Sequence, residues 1–461
     1  MMFTLNGSLL LVACLALIQA APVPGGSKPP PPQRNDANSL TELWGTEGNK
    51  YPTVFIHGLA GWSEQRPILG FLNYWGGATQ NLLEVTREQG FTVVAPGVGP
   101  LSSNWERACE AFAQLTGTKT DYGVERSVKF GHSRYGEDWT GKAMLPEFAA
   151  NFKPSAGKVQ KINMVGHSMG GPTARMLTHF LTYGSQVEMD ACTNTKTVCS
   201  PLFWTNKTTS YVNSVLALSG THQGSQVDDY LHATKGLVNF VKGLFATLVG
   251  VNNFNKVDVW DLQLGHWGLD QRPSETFPNY LERVCASPWF LGKSNAFFDL
   301  SVAFQSDSLL SFVKNSPDTT YFSVAGRTTN YVFGVALAEI TTNLFLIPFA
   351  NLIGTYSNSS LPALRQYNQE DWRQNDGLVS IASSRSPSSG YKDFNLDMSA
   401  SSSRDLATTA PARVPQKGTY NYLGELDNVD HAAFLAWFDP IPGLRDDLYV
   451  NIMRVIGSVA L

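Results

Sequence analysis

Charged residues are scarce in this 461-residue chain, and neither sign dominates. Lys and Arg together number 34 and Asp and Glu 38, so the net charge is -4 and only 16% of the residues are charged. A protein that binds nucleic acid normally presents a basic surface to the phosphates, so this composition argues against nucleic acid as a partner. Apolar residues make up 43% of the chain, which is enough for a globular core.

Long apolar runs are also missing, apart from one near the N-terminus. Residues 9–18 are apolar but too short to span a bilayer, and small residues follow them. We therefore expect residues 1–20 to be a signal peptide and the protein to be secreted. The Pro-rich residues 21–42 are typical of an extended linker, and a folded catalytic domain is expected over residues 43–461.

Cysteine is scarce as well, with five residues, of which Cys14 lies in the predicted signal peptide. Cys192 and Cys199 are close together in a polar stretch, a spacing that suits a disulfide in a secreted protein. We expect Cys109 and Cys285 to be buried thiols, although the sequence alone does not decide whether they pair.

Two triplets match the acceptor pattern for N-glycosylation, Asn206-Lys207-Thr208 and Asn358-Ser359-Ser360. In a secreted protein they are candidate sites, and their use depends on the host.

The most informative motif is Val165-Gly166-His167-Ser168-Met169-Gly170-Gly171. It follows an alternating, strand-like run over residues 159–165 and precedes a helical stretch from Pro172. A strand, a Gly-x-Ser-x-Gly turn and a helix form the nucleophile elbow of the α/β-hydrolases, in which Ser168 would be the nucleophile. The adjacent Met169 N–H would then stabilise an oxyanion. The alternative is an ordinary strand-turn-helix that contains a serine.

An early strand over residues 51–56 runs into His57-Gly58, where this fold supplies a second oxyanion donor, here the Leu59 N–H. A plain glycine turn is the alternative. Further apolar strands alternate with helical stretches, at residues 90–95, 212–218 and 321–325. This alternation predicts an α/β fold with a mostly parallel central sheet and helices on both faces.

Residues 225–250 interrupt the alternation and contain apolar side chains at helical spacing, from Leu237 to Val249. Such a stripe is normally a core-facing helix. Because it follows the strand after the elbow, where hydrolases of this fold can carry a cap, we predict a helical lid that turns its apolar face toward an oil–water interface.

Ser168 needs a base, and in this fold the chain order is nucleophile, acid, base. His431 lies far downstream in a polar loop, which makes it the candidate base. Asp376, in the turn Asn375-Asp376-Gly377, is the candidate acid. Three other aspartates remain open as the acid, namely Asp307, Asp318 and Asp371.

Several longer motifs point to one family: Tyr74-Trp75-Gly76-Gly77, residues 99–110, Asp121-Tyr122-Gly123, His266-Trp267-Gly268-Leu269 and residues 299–302. From about residue 51 to 446 the chain resembles the secreted triacylglycerol lipases of the thermoalkaliphilic Geobacillus and staphylococcal group. The resemblance implies Ser168, Asp376 and His431 as the catalytic triad, with Leu59 and Met169 as oxyanion donors. It also implies hydrolysis of triacylglycerols and related long-chain esters through a serine acyl-enzyme.

The family holds a structural zinc ion with two aspartates and two histidines. The matching positions here are Glu106, Arg126, His132 and Gly265. Arginine cannot bind a metal and glycine has no ligand, so we expect no zinc. Our hypothesis is that Arg126 supplies the positive charge and pairs with Glu106.

The calcium site of the family is also altered. Ala433 stands where the family has a glutamate, and Phe438 stands where it has an aspartate, with Asp439 one place later. Calcium requires several oxygen ligands, so we expect weak calcium dependence or none.

Two other functions share these motifs. A carboxylesterase or acyltransferase acting on soluble esters would have the same elbow and triad. A catalytically inactive hydrolase fold used as a binding module would typically lack a triad member, and this chain has all three. The oligomeric state is not predicted.

Overall fold

The computed structural model describes residues 39–459, except 69, 154–158, 206, 208, 235, 237–238, 240–259, 304–311, 357–368, 389 and 438–442. Within these ranges, no helix combines the length and apolar character needed to cross a bilayer. The predicted signal peptide and both glycosylation asparagines lie outside the described residues.

Seven strands form one sheet, and every neighbouring pair in it is parallel, as the sequence predicted. The spatial order is β10-β11-β7-β6-β5-β1-β2. The pair β3–β4 and the hairpin β8–β9 form two separate antiparallel sheets. The bounds are β1 Thr53–Ile56, β2 Val93–Val94, β3 Lys119–Asp121, β4 Tyr135–Asp138, β5 Ile162–His167, β6 Val212–Leu218, β7 Thr320–Arg327, β8 Thr329–Val332, β9 Val335–Ala338, β10 Lys392–Asp393 and β11 Tyr420–Asp427.

Helices cover both faces of this sheet. Their bounds are α1 Ser39–Trp44, α2 Leu82–Glu88, α3 Asn104–Thr116, α4 Val124–Phe130, α5 Pro146–Ala150, α6 Gly170–Tyr183, α7 Gln186–Thr195, α8 Gln226–Ala233, α9 Phe277–Cys285, α10 Ala296–Leu300, α11 Ile347–Gly354, α12 Gln369–Arg373, α13 Ile381–Arg385, α14 Ser403–Thr409 and α15 Asp446–Ser458.

The central strands β1, β5 and β6 are buried at every residue because each has a core on both sides. In β1, Phe55 packs into one hydrophobic cluster, while Val54 and Ile56 pack into another. Successive side chains of a strand point to opposite faces, so a strand between two helical layers has no solvated side. This burial makes the sheet a rigid support for the loops that follow its strands.

The start of the folded domain differs from the predicted one, and most of the predicted lid lies outside the described residues. Helix α1 begins at Ser39, inside the stretch predicted as linker, because Leu40 and Trp44 are buried in the core. Of the predicted lid over residues 225–250, helix α8 is described, whereas almost all of the apolar stripe lies outside the described residues. The lid therefore stays a prediction.

The cysteine predictions hold where the structure describes them. Cys192 and Cys199 form a disulfide that closes a short loop after α7. Cys109 and Cys285 are both buried.

Candidate active site

Ser168 occupies a sharp turn between β5 and α6. Its φ angle is 57°, a left-handed conformation that is rare for residues other than glycine. A Cβ atom at Gly170 would lie 2.0 Å from the Ile56 carbonyl oxygen, and one at Gly166 would lie 2.3 Å from the Gly170 carbonyl carbon. Both glycines are therefore required by close backbone contact, as the elbow motif predicts.

Asp376 and His431 come together although 55 positions separate them. The Nδ1 atom of His431 lies 2.7 Å from Asp376 Oδ2, and the His431 N–H donates to the Asp376 carbonyl at 2.8 Å. The other carboxylate oxygen accepts the N–H groups of Leu378 and Val379 at 3.0 and 2.8 Å. The aspartate is fully buried and held at both oxygens, so it fixes the orientation of the imidazole.

The competing aspartates have other surroundings. Asp371 forms an ion pair with Arg385 at 2.8 Å. Asp318 is exposed and precedes β7, at the end of the sheet opposite the elbow. Asp307 lies outside the described residues.

His167 connects the His431 loop to the elbow. Its Nε2 atom lies 3.1 Å from the His431 carbonyl oxygen, and the two imidazole centroids are 4.6 Å apart. Because a carbonyl only accepts, His167 Nε2 must carry the proton, and Nδ1 then accepts from the Tyr74 hydroxyl at 2.8 Å. Burial, reinforced by the charge of His431, keeps the pKa of His167 well below its usual value, so this imidazole stays neutral.

The same tyrosine reaches the turn that precedes Leu59. The Tyr74 hydroxyl oxygen accepts the Gly58 N–H at 2.7 Å. A continuous chain of hydrogen bonds therefore runs from Gly58 through Tyr74 and His167 to the backbone of His431. It fixes two loops relative to each other, one on each side of Ser168.

The two predicted oxyanion residues are neighbours. Leu59 packs against the small cluster that contains the buried Met169. Among the hydrogen bonds of the described residues, neither the Leu59 N–H nor the Met169 N–H has an acceptor within the chain. Two adjacent backbone donors beside a serine hydroxyl can bind a developing negative charge.

Buried Arg107 anchors the turn before Leu59 through hydrogen bonds to its backbone. Its guanidinium donates to the carbonyl oxygens of His57, Gly58 and Gly99. His57 itself accepts the Val98 N–H at 3.1 Å, and burial, together with the charge of Arg107, lowers the pKa of His57 to about 3. The turn is thus anchored by a permanent cation and a neutral imidazole.

Sequence reasoning did not assign roles to Tyr74, Arg107 or the ring of His167. Two of them lie in motifs that support the family resemblance, which was the only available signal. Their roles depend on contacts between residues far apart in the chain, so spacing could not predict them.

The cluster at the zinc position of the resembled family does not fit a zinc ion. Glu106 Oε1 accepts from Arg126 Nε at 3.0 Å and from Ser294 Oγ at 2.9 Å, so the predicted ion pair is present. Burial alone would raise the pKa of Glu106, but the charge and hydrogen bonds of Arg126, with a bond from Ser103, lower it below its usual value. The positive charge of the Arg126 guanidinium, next to the Glu106 carboxylate, would repel a metal cation at this position.

The altered calcium site is only partly visible. Ala433 provides no ligand, and the positions of Phe438 and Asp439 lie outside the described residues. In the described ranges, no three His, Cys, Asp or Glu side chains are grouped to hold a metal.

Comparisons with known proteins agree with this architecture. Residues 49–405 match the family model described as "Lipase-like, C-terminal domain". The chain is 33% identical over 345 residues to Lipase 2 of Staphylococcus aureus, which covers 74% of this chain and 45% of that protein. The chain thus spans about half the length of the curated relatives it matches.

Two solved structures are similar along nearly their whole length. EstA from Clostridium botulinum has a TM-score of 0.75 and 29% identity, and the match covers 98% of both chains. The lipase of Staphylococcus hyicus has a TM-score of 0.69 and 26% identity, and the match covers 88% of this chain and 94% of that one.

Proposed function

The chain belongs to the lipase-like family, and we propose that it is a secreted lipase that hydrolyses triacylglycerols and related long-chain esters. The observation that carries this proposal is the hydrogen bond between His431 Nδ1 and Asp376 Oδ2 in a loop joined to the Ser168 elbow. Relatives of this chain are named as lipases, which supports a carboxylic ester as the substrate.

In the proposed mechanism, Ser168 Oγ attacks the ester carbonyl carbon while His431 Nε2 accepts the hydroxyl proton. Asp376 stabilises the imidazolium that forms. The N–H groups of Leu59 and Met169 bind the oxyanion, a contribution of about 10²–10³ in rate for one donor. His431 then returns the proton to the leaving alcohol. In the second half of the reaction His431 accepts a proton from water, which attacks the acyl carbon. His431 returns this proton to Ser168 Oγ as the fatty acid leaves.

A series of p-nitrophenyl esters with increasing acyl length tests the proposal. We expect turnover of medium and long chains, and Ser168→Ala should reduce it by roughly 10⁶-fold, as in other serine hydrolases. The variant should keep the thermal midpoint of the parent. Retained turnover in a folded Ser168→Ala protein would show that another residue is the nucleophile.

A carboxylesterase or acyltransferase on soluble esters is the second candidate, because it would use the same serine elbow and the same His431–Asp376 pair. Rates measured below and above the solubility limit of a medium-chain ester distinguish the two. A rate that does not rise when the emulsion forms would favour the esterase.

We further propose that zinc is not needed, because Arg126 supplies the cation beside Glu106, and that calcium dependence is weak or absent, because Ala433 offers no ligand where the resembled family has a glutamate. Chelator should then leave the thermal midpoint unchanged. Stoichiometric zinc in protein purified without chelator, or a large loss of stability with EGTA, would contradict this.

A further inference from the structure

The hairpin β8–β9 has one face on the protein and one face in solvent. Its pairs are Tyr331 with Ala336 and Val332 with Val335, so side chains alternate between the two faces. The inner face packs against α11, where a Cβ atom at Gly354 would lie 1.7 Å from the Ala336 carbonyl oxygen.

The outer face holds Val332, Val335 and Leu337 beside one polar residue, Asn330, although the solvated face of an antiparallel pair is normally polar. Val332 is 45% exposed and Leu337 is 49% exposed on this side. Residues 330–349 contain one charged side chain, Glu339. The side chains of the hairpin therefore supply almost none of the charges that usually keep an exposed strand edge in water, and the one guanidinium recorded at its turn, that of Arg373, donates to the Gly334 carbonyl.

The tip of the hairpin is Phe333, whose side chain is fully exposed at 102%. Phe333 and Gly334 form a two-residue turn in which both φ angles are positive, at 50° and 85°. Such turns favour Asn-Gly, because a bulky residue at positive φ is strained. A strained aromatic side chain that packs on none of the described residues gains nothing from that part of the fold, which points to a partner elsewhere.

The segment that follows the hairpin adds two more exposed apolar side chains, Ile340 at 101% and Leu344 at 81%. Two other residues of the same segment contact the loops that carry the candidate catalytic residues. The Asn343 N–H donates to Asp430 at 2.9 Å, next to His431, and Leu346 packs against Gly377, next to Asp376. The segment that carries the exposed side chains is therefore attached to the loops of Asp376 and His431.

We propose that Phe333, Ile340 and Leu344, with the outer face of β8–β9, form a fixed surface that inserts into a neutral lipid phase and holds the active site against it. We call these residues the apolar rim. This surface would serve the proposed lipase function, and the inference rests on that function. Because the rim is nearly free of charge, the matching partner is an uncharged lipid surface rather than an anionic one.

Partition of the inactive Ser168→Ala protein into phosphatidylcholine-coated triolein droplets tests the proposal by flotation. Phe333→Asn should lower the partition coefficient about tenfold, since burial of one large apolar side chain contributes roughly that factor or more. Ile340→Asn with Leu344→Asn should lower it further, and 1 M salt should not reverse the binding. Asparagine suits the turn at position 333, so the variant is expected to fold.

The matched control is Val198→Asn. Val198 is apolar and 87% exposed, and it lies next to Cys199 of the disulfide. Ser168 precedes the N-terminus of α6, whereas Val198 follows its C-terminus in the chain. This variant should bind droplets like the parent. Equal partition of the parent and all rim variants, or an equal loss in Val198→Asn, would overturn the proposal.

Turnover of a soluble short-chain ester, measured with Ser168 restored, separates the two proposals. The rim variants should retain it within about twofold, because they lie outside the reacting groups. If the parent hydrolyses no ester yet its droplet binding depends on the rim, the proposed function fails and the rim stands. If the parent hydrolyses esters and the rim variants bind droplets like the parent, the rim proposal fails and the proposed function stands.

Discussion

Ser168 and Phe333 share a strained backbone and differ in almost everything else. Both are non-glycine residues with left-handed φ angles, 57° and 50°. Ser168 is nearly buried, and close backbone contacts at Gly166 and Gly170 leave its turn no alternative. Phe333 is fully exposed in a turn that another residue would form more easily.

The difference shows that strain alone does not identify what a residue does. At Ser168 the strain is maintained by neighbours that also orient His431, so the functional partner lies inside the chain. At Phe333 no described neighbour requires the aromatic ring, and the proposed partner is a lipid phase outside the chain. Changes near Ser168 should therefore cost activity, and changes at Phe333 should cost adsorption only.

After removal of the nucleophile itself, the largest effect is expected from Asp376→Asn, which keeps the shape of the side chain but removes the charge that fixes the His431 tautomer. Turnover should fall by about 10⁴-fold, as for the equivalent change in serine proteases. The measurement is kcat/KM on a soluble ester.

Asp371→Asn is the matched control, because Asp371 was a competing candidate and binds Arg385 instead. It should keep turnover within a few-fold of the parent. If Asp371→Asn were the inactive variant and Asp376→Asn the active one, the assignment of the acid would be wrong.

A smaller effect is expected from Tyr74→Phe. Loss of the hydroxyl leaves the Gly58 N–H and His167 Nδ1 without a partner in a buried site, at a cost of about 1–3 kcal/mol. The turn before Leu59 should lose its fixed position, so kcat should fall about tenfold with little change in KM.

Tyr321→Phe provides a control for stability alone. Tyr321 is also buried, and its hydroxyl also accepts a backbone N–H, from Ser316 at 2.8 Å, but it lies at the opposite end of the sheet. It should lose stability with unchanged kcat. An equal fall of kcat in both variants would mean that Tyr74 has no positioning role.

The smallest effect is on the stability of the Phe333→Asn protein. Relief of the positive φ strain should raise the free energy of unfolding by about 0.5 kcal/mol, measured by denaturant titration. A clear loss of stability would instead show that the aromatic ring packs on the folded chain, which would remove the contrast with Ser168.

Local patterns predicted the parts of the site that depend on neighbouring residues. The strand, turn and helix around Ser168 follow from apolar alternation and two glycines, and β6 was predicted at Val212–Leu218, its observed bounds. Chain order placed His431, and the family resemblance favoured Asp376 over three alternatives.

What sequence could not predict depends on tertiary contact. Tyr74 and His167 are 93 positions apart, and only the folded sheet brings them within 2.8 Å. Strand β11 was missed because its second half, Gly424 to Asp427, alternates with exposed polar residues, and the hairpin β8–β9 was missed because its turn is Phe-Gly rather than Asn-Gly.

Covalent trapping with a phosphonate shows which residue is the nucleophile, the role proposed for Ser168. The protein is incubated with a p-nitrophenyl alkylphosphonate, and the adduct is located by peptide mass spectrometry. We predict one phosphonyl group per chain, on Ser168, with matching release of p-nitrophenol and no adduct in Ser168→Ala. An adduct on another residue, or equal labelling of the Ser168→Ala protein, would contradict the account.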